Sequence, residues 1–333
     1  MKVWGMLLGG FPRSRRLRHV LRDVERGTAP YYVAEAEVDR FASQVIGAQL
    51  AAGFPVVVDG MADWHDIFRP FVDAWRNVTV DGLLRYFDNN FFYRIPVFTD
   101  EPDARSFVLS RRVYRFRDAA DPAGVKVVMP GPVTFAYMSK NLSGLSTEEL
   151  AERIAFLLRE EARKALDAGA SLIQVDEPFL ADIDATPDHA RLAVDLVNSI
   201  VDGFGDRAVL SLYYGVPEPG VYEVLLDVKA RYLMLDVADA PARASSLLKD
   251  KGAGGHVLAL GVVDARRIID DDESRIIELV KGVASGSEEL VLTTSTWMDL
   301  IPYRYALRKT IILGRIVESV ASSLGADVWS IWG

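Results

Sequence analysis

Two adjacent carboxylates, Asp176 and Glu177, end the short apolar run Ser171-Leu172-Ile173-Gln174-Val175, and Pro178 forbids that run from continuing. An acid pair just past a strand is placed for general acid/base work or for gripping a polar ligand, because the chain turns there at the mouth of a parallel sheet or barrel. The bland alternative is a helix cap and a solvated side chain. The elements that position the pair are legible. Residues 147–166 carry Leu150, Ile154, Leu157, Leu158 and Ala165 on one helical stripe, with Glu148, Glu149, Glu152, Arg159, Glu160 and Lys164 on the wet side. The turn Asp167-Ala168-Gly169-Ala170 then leads into the strand, so the local order is helix, then strand.

Strand-like runs recur at 3–8, 55–58, 126–129, 172–175, 208–213, 232–235, 256–260 and 289–292. Helical patterns lie between most of them, at 38–52, 147–166, 188–203, 221–227, 241–250, 272–282 and 303–324. Such an alternation predicts an α/β chain forming one (β/α)8 TIM barrel over residues 1–333. The rival, a doubly wound open sheet, lacks a glycine-rich dinucleotide fingerprint after any strand. Residues 64–121 exceed a single crossover and read as an insertion on the second or third βα loop, with an extended element at 91–98. Polar residues past other strands, Asp59, Thr134, Tyr213, Asp236, Asp264 and Ser295, would converge on one barrel face.

Composition narrows the function. The 333 residues carry a net charge of −9, which argues against nucleic acid or an anionic membrane as the main partner. There is no cysteine, so disulfides, thiolate zinc sites and cysteine nucleophiles are excluded. No apolar run approaches the roughly 20 residues that span a bilayer, and the start does not read as a signal peptide, so a cytoplasmic location is expected. Against the negative background stands one basic row: Arg15, Arg18, Arg22 and Arg26 follow a Gly10-Phe11-Pro12-Arg13 break. On a helix these four fall within an arc of about 80°, opposite Leu17, Val20, Leu21 and Val24. A guanidinium row suits a ligand with several carboxylates, while a solvated face paired with Asp23 and Glu25 is the alternative. Of the four histidines, His19, His65, His189 and His256, none is spaced to share a metal with another. His65, between Trp64 and Asp66, is the best acid/base candidate, since its acidic neighbours would raise it.

Several motifs, in order along most of the chain, resemble the cobalamin-independent methionine synthases: Leu8-Gly9-Gly10-Phe11-Pro12-Arg13 with its basic helix, Arg85-Tyr86-Phe87-Asp88-Asn89-Asn90-Phe91-Phe92-Tyr93-Arg94-Ile95-Pro96-Val97-Phe98, Pro130-Gly131-Pro132-Val133-Thr134, Gln174-Val175-Asp176-Glu177-Pro178 and Gly261-Val262-Val263-Asp264-Ala265-Arg266. The resemblance implies a family of two (β/α)8 barrels, the second holding zinc and homocysteine and transferring a methyl group from a methylated polyglutamyl folate. This chain has room for one barrel. Where the catalytic barrel has its histidine, cysteine and glutamate ligands, this chain has Ser211, Tyr213, Asp236 and, approximately, Ser295. Oxygen donors of that kind do not replace thiolate and imidazole on zinc. The chain therefore resembles the metal-free first barrel, standing alone. By that resemblance Arg18 and Arg85, with Arg15 and Arg22 near them, would receive the glutamyl tail of a methylated folate or pterin. His19, Val20 and Leu21 depart from the family pattern. Zinc would be carried by a separate partner barrel. The other readings are a non-catalytic ligand-binding or regulatory barrel, and a metal-independent enzyme that uses Asp176 and Glu177, like the uroporphyrinogen decarboxylases.

Overall fold

A computed structural model of the protein describes residues 1–87, 89–284 and 287–332, so Asp88 of the aromatic motif lies outside the described residues. The eight expected runs appear as β1 (Lys2–Gly5), β2 (Val56–Val57), β5 (Gly124–Pro130), β7 (Leu172–Asp176), β8 (Ala208–Leu212), β9 (Tyr232–Asp236), β10 (Val257–Val263) and β11 (Glu289–Thr294). The helices are α1 (Arg15–Glu25), α2 (Tyr31–Ala51), α3 (Arg69–Ala74), α4 (Leu109–Ala120), α5 (Pro132–Tyr137), α6 (Thr147–Asp167), α7 (Pro187–Val201), α8 (Pro219–Leu225), α9 (Pro241–Lys251), α10 (Glu273–Val283) and α11 (Tyr303–Leu324). Strand order follows chain order around the curled sheet, and β1 pairs in parallel with β11. That cyclic order is the (β/α)8 arrangement and overturns the open-sheet rival.

The sheet has a ninth member that periodicity did not predict. A two-residue strand, β12 (Asp327–Val328), lies parallel to β1 at the end away from the mouth. Asp327 donates to Met1 O at 3.0 Å, Trp329 to Val3 O at 2.9 Å and Ile331 to Gly53 O at 3.3 Å, so this segment bridges the seam between β1 and β2. At the mouth side of the same seam Phe11 N–H reaches Gly60 O at 2.9 Å. A strand of two residues offers too few backbone groups to close a barrel alone, and the C-terminal segment supplies the rest.

Between β2 and α4 the chain throws out a long hairpin of β3 (Trp75–Arg85) and β4 (Phe92–Ala104), with the short β6 (Lys140–Asn141) on its far edge. The extended element expected at 91–98 is thus one arm of a hairpin placed on the second βα connection. Its root is fixed by aromatic packing: Trp75 stacks on Phe135 of α5 at 5.4 Å and Phe68 lies 4.8 Å from the same ring. Tyr93 donates to Met138 O at 3.0 Å. Its tip folds down over the barrel, where Tyr86 and Phe87 meet Tyr214 at 5.9 and 6.1 Å and Phe91 meets Trp297 at 6.4 Å.

Local chemistry explains the helices around the acid pair. α6 starts at a capping box in which Ser146 and Glu149 satisfy one another's backbone N–H groups. Its buried stripe, including Leu150, Ile154, Leu157 and Leu158, fastens it to the barrel, each such side chain being worth about 1.5–3 kcal/mol. The same helix supplies Glu161, whose carboxylate is fully buried and accepts from Val108 N–H at 2.9 Å and Leu109 N–H at 3.0 Å, capping α4 from outside. Ser14 caps α1 by accepting from Leu17 N–H at 3.1 Å. Leu17 is buried, while Arg15, Arg18 and Arg22 face solvent.

Candidate functional site: the barrel mouth and its arginine cleft

Asp176 closes β7 and points into a polar spine inside the barrel. Its Oδ1 accepts from Gln174 Nε2 at 2.7 Å, and its Oδ2 accepts from the Tyr213 hydroxyl and from Trp297 Nε1, both at 3.1 Å. Gln174 in turn accepts from Lys126 Nζ, which also donates to Leu7 O at 2.6 Å and Leu8 O at 2.9 Å. All three ammonium protons are used, and Asp176 has three donors and no competing acceptor. The amide of Gln174 therefore joins a buried cation to a buried anion that do not touch. Burial pushes the Asp176 carboxyl up and the Lys126 ammonium down, and each charge offsets the other's shift.

Glu177 has a different task. It is fully buried; Oε1 accepts from Val133 N–H at 2.9 Å and Oε2 from Thr134 N–H at 2.7 Å, so it caps the first turn of α5. A Cβ on Gly131 would lie 2.1 Å from its carboxyl carbon, which is why the turn after β5 needs glycine. Burial, only partly opposed by these bonds, pushes Glu177 up to about 7. Its two oxygens are committed to backbone donors, so the acid pair separates into one spine residue and one cap. Thr134 belongs to the same cap.

The other strand-end residues form distinct clusters. Asp59 accepts from Arg112 Nε of α4 at 2.6 Å, and Arg112 also reaches Asp63 at 2.7 Å, a buried network that ties α4 to the mouth. Asp236 is fully buried, lies 3.3 Å from the Arg266 guanidinium and is pushed up to about 7, mainly by burial. Arg266 also faces Asp239 at 3.0 Å and Asp264 at 3.7 Å. Asp264 accepts from Arg266 N–H and Arg267 Nε, and these hold it below the usual carboxylate range despite its burial. Ser295 Oγ accepts from Ala265 N–H at 3.1 Å.

These contacts test the positions where family resemblance would look for zinc. Ser211 Oγ faces Met234 Sδ at 3.5 Å, the Tyr213 hydroxyl is engaged with Asp176, Ser295 with backbone, and Asp236 already has a guanidinium beside it. Neither thiolate nor imidazole is present among them. Among the described residues no group of three or more His, Cys, Asp or Glu is arranged to hold a metal ion. The donor set does not fit zinc.

The open part of the mouth is a cleft of about 760 Å³ between α1, the hairpin tip and residues 297–304. Arg13, Arg15, Arg18, His65, Phe91, Trp297, Asp299 and Arg304 line it. Arg13 is anchored, its Nε donating to Ala62 O at 2.7 Å and its Nη2 to Trp64 O. Its charge partly offsets the burial that pushes Asp299 up to about 6. Among the described residues Arg15, Arg18 and Arg304 have no carboxylate within ion-pair distance, whereas Arg22 lies 3.4 Å from Asp23 and away from the cleft. Arg85 stands exposed on the hairpin over the Phe92 ring at 5.9 Å, also outside the cleft. His65 is pushed down rather than up: burial acts first, and Arg13 and Arg69 outweigh Glu25 and Asp66. The acidic neighbours in sequence are not the dominant charges in space.

Sequence reasoning passed over Lys126, Trp297, Arg13, Asp299 and Arg304. Lys126 had a signal: a lone cation inside the apolar strand Gly-Val-Lys-Val-Val-Met-Pro must find partners. Gln174, two residues before Asp176, shares its strand face. Trp297 and Asp299 had none, being joined to Asp176 and Arg13 only through the fold.

Comparison with known proteins places this architecture. The domain described as "Cobalamin-independent synthase, N-terminal domain" matches residues 75–288. A 5-methyltetrahydropteroyltriglutamate–homocysteine methyltransferase of Nitrosomonas europaea is 28% identical over 206 residues, covering 61% of this chain and 26% of the relative, so the chain matches only about a quarter of that protein. A methionine synthase of Methanothermobacter marburgensis is 27% identical over 311 residues, covering 91% of this chain and 95% of the relative. The fold is that of a B12-independent methionine synthase from Shewanella sp. W3-18-1, solved with selenomethionine: the TM-score is 0.80 at 15% identity, over 96% of this chain and 98% of that one. Motifs, barrel topology and the matched domain converge: the chain belongs to the cobalamin-independent methionine synthase family.

Proposed function

We propose that this protein is the non-zinc barrel of a two-barrel methyl-transfer system. It binds a methylated folate or pterin through its carboxylate tail while a separate zinc-bearing barrel activates homocysteine. The observation that supports the reading is the mouth cleft, where Arg15, Arg18 and Arg304 have no carboxylate partner among the described residues of a protein of net charge −9. Guanidinium groups gathered around one cavity suit bidentate contact with carboxylates, and a tail bearing several of them engages more than one at once. The donor set supports this division of labour, since the mouth positions offer hydroxyl, phenol and carboxyl oxygens where zinc chemistry calls for thiolate and imidazole.

In this arrangement the protein's own residues bind and orient. Arg15, Arg18 and Arg304 hold the tail, Arg13 and Asp299 shape the floor, and Asp176 fixes the wall behind it. An independent acid/base enzyme built on Asp176 and Glu177 has less support, because both carboxylates are fully buried and their oxygens are taken by protein donors.

The test combines the protein with a zinc-bearing methionine-synthase barrel, homocysteine and 5-methyltetrahydropteroyl triglutamate, with methionine as readout. The expected result is methionine formation that rises with this protein. Absence of both stimulation and donor binding by calorimetry would refute the proposal.

A further inference from the structure

A separate cavity of about 440 Å³ opens between the start of α9, the end of β10 and the first turns of α10. Among the described residues it has no lining residue in common with the arginine cleft. Its floor is apolar, made by Val237, Val262, Ile276 and Leu279. Its roof is the connection 264–272, which is pinned rather than packed. Asp264 N–H donates to Asp271 Oδ1 at 2.8 Å, and Lys309 Nζ, buried on α11, donates to Asp271 Oδ2 at 2.7 Å. The arch between those pins carries Ile268 and Ile269 outward, 49% and 72% exposed, so the connection leaves the space beneath it unfilled. A ligand that covers both the floor and Ile269 removes apolar surface from water, and the size is that of a small-molecule site.

The rim above this floor carries both signs of charge, Arg267 and Arg275 beside Asp270 and Asp272. Arg267 pairs with Asp264, Asp270 with Arg308 and Asp272 with Arg275, yet the four rim side chains are 51% to 86% exposed. Ion pairs open to solvent hold weakly, and they rearrange around an incoming charge at little cost. A zwitterion matches adjoining cationic and anionic groups, whereas a fatty acid or an aliphatic amine meets one sign only. We propose that this cavity binds a free α-amino acid with an apolar side chain, its carboxylate on Arg267, its ammonium on Asp270 and its side chain on the floor of Val237, Val262, Ile276 and Leu279. The site is independent of the proposed function. No bond is made or broken in it.

Calorimetry on the intact protein reads the two charges separately with L-leucine, with 4-methylpentanoate, which lacks the ammonium, and with 3-methylbutylamine, which lacks the carboxylate. L-leucine is expected to bind, and each analogue to bind about tenfold more weakly for want of one charge-assisted contact. Arg267→Gln should weaken L-leucine by about tenfold and leave 3-methylbutylamine unchanged; Asp270→Asn should weaken L-leucine as much and leave 4-methylpentanoate unchanged. Both substitutions fall on exposed side chains, and thermal unfolding of each variant checks that the fold is kept. No uptake of L-leucine up to about 10 mM, equal affinity for the three probes, or variants that treat the three alike would each overturn the proposal. Titration with 5-methyltetrahydropteroyl triglutamate, run in parallel, tests the arginine cleft alone, so either site can fail without the other.

Discussion

Replacing Lys126 by methionine removes a buried cation while nearly preserving its volume. Three acceptors, Leu7 O, Leu8 O and Gln174 Oε1, lose their donor at once. Asp176, two bonds along the same spine, keeps its donors and loses the only cation in the chain of contacts. Removing one partner of a buried charge pair costs about 3–5 kcal/mol, and that range is expected here, because the carbonyls cannot turn to water. Unfolding in guanidinium chloride should show it as a lower midpoint with an unchanged slope. The pH dependence follows from the direction of the shifts. Asp176 has a raised folded pKa, so a neutral carboxyl is tolerated below it and an unpartnered carboxylate is penalised above it. The gap between parent and variant is therefore largest near pH 7 and shrinks toward about pH 4, where Asp176 is protonated in both. Adding Asp176→Asn to Lys126→Met should recover part of the loss, with a coupling of about 1–3 kcal/mol. Additive costs, or a gap independent of pH, would show that the spine does not join the two charges.

The remaining expectations are shorter. Glu177→Gln keeps one acceptor for α5 and loses the other, so stability should fall by about 1–3 kcal/mol with donor affinity unchanged; denaturant titration and calorimetry read the two separately. Arg15→Ala and Arg18→Ala should each weaken binding of a triglutamate donor by about tenfold, less at high salt, while Arg85→Ala leaves it as it was; a comparable loss at Arg85 would move the tail site onto the hairpin. Asp59→Asn strips the buried Arg112 of a partner and should cost about 3–5 kcal/mol in thermal or chemical unfolding. Gly10→Ala places a Cβ 2.3 Å from Asp299 Oδ2 and 2.6 Å from the Trp297 ring, and near-ultraviolet circular dichroism should report the displaced indole.

The barrel was readable from local pattern because each strand is short, apolar and followed by polar residues, and each helix carries a buried stripe. These are properties of neighbours in sequence. The seam was not readable: β12 is two residues long, and its pairing with β1 joins positions at opposite ends of the chain. The hairpin was half readable. Phe91 to Phe98 has the alternation of a strand, but its partner arm, Trp75–Arg85, carries Arg76, Asn77, Asp81 and Gly82 and faces solvent along most of its length, so no apolar face marks it.

The site divides along the same line. By itself the sequence determined that Asp176 ends a barrel strand, that arginines crowd the first helix, that no cysteine can bind zinc, and that the motifs are those of one family, because residue type and order suffice for each. It could not decide which of two adjacent carboxylates turns into the spine and which caps α5, since that depends on the register of β5 against β7 and on the room left by Gly131. Nor could it pair Lys126 with Asp176 through Gln174, set Arg13 and Arg69 against His65, or bring Trp297 across 121 residues onto the Asp176 carboxylate. Charge and hydrogen bonding act through distance in space, and a closed barrel brings the ends of eight separated strands to one rim, so only the tertiary structure decides which of their polar side chains meet.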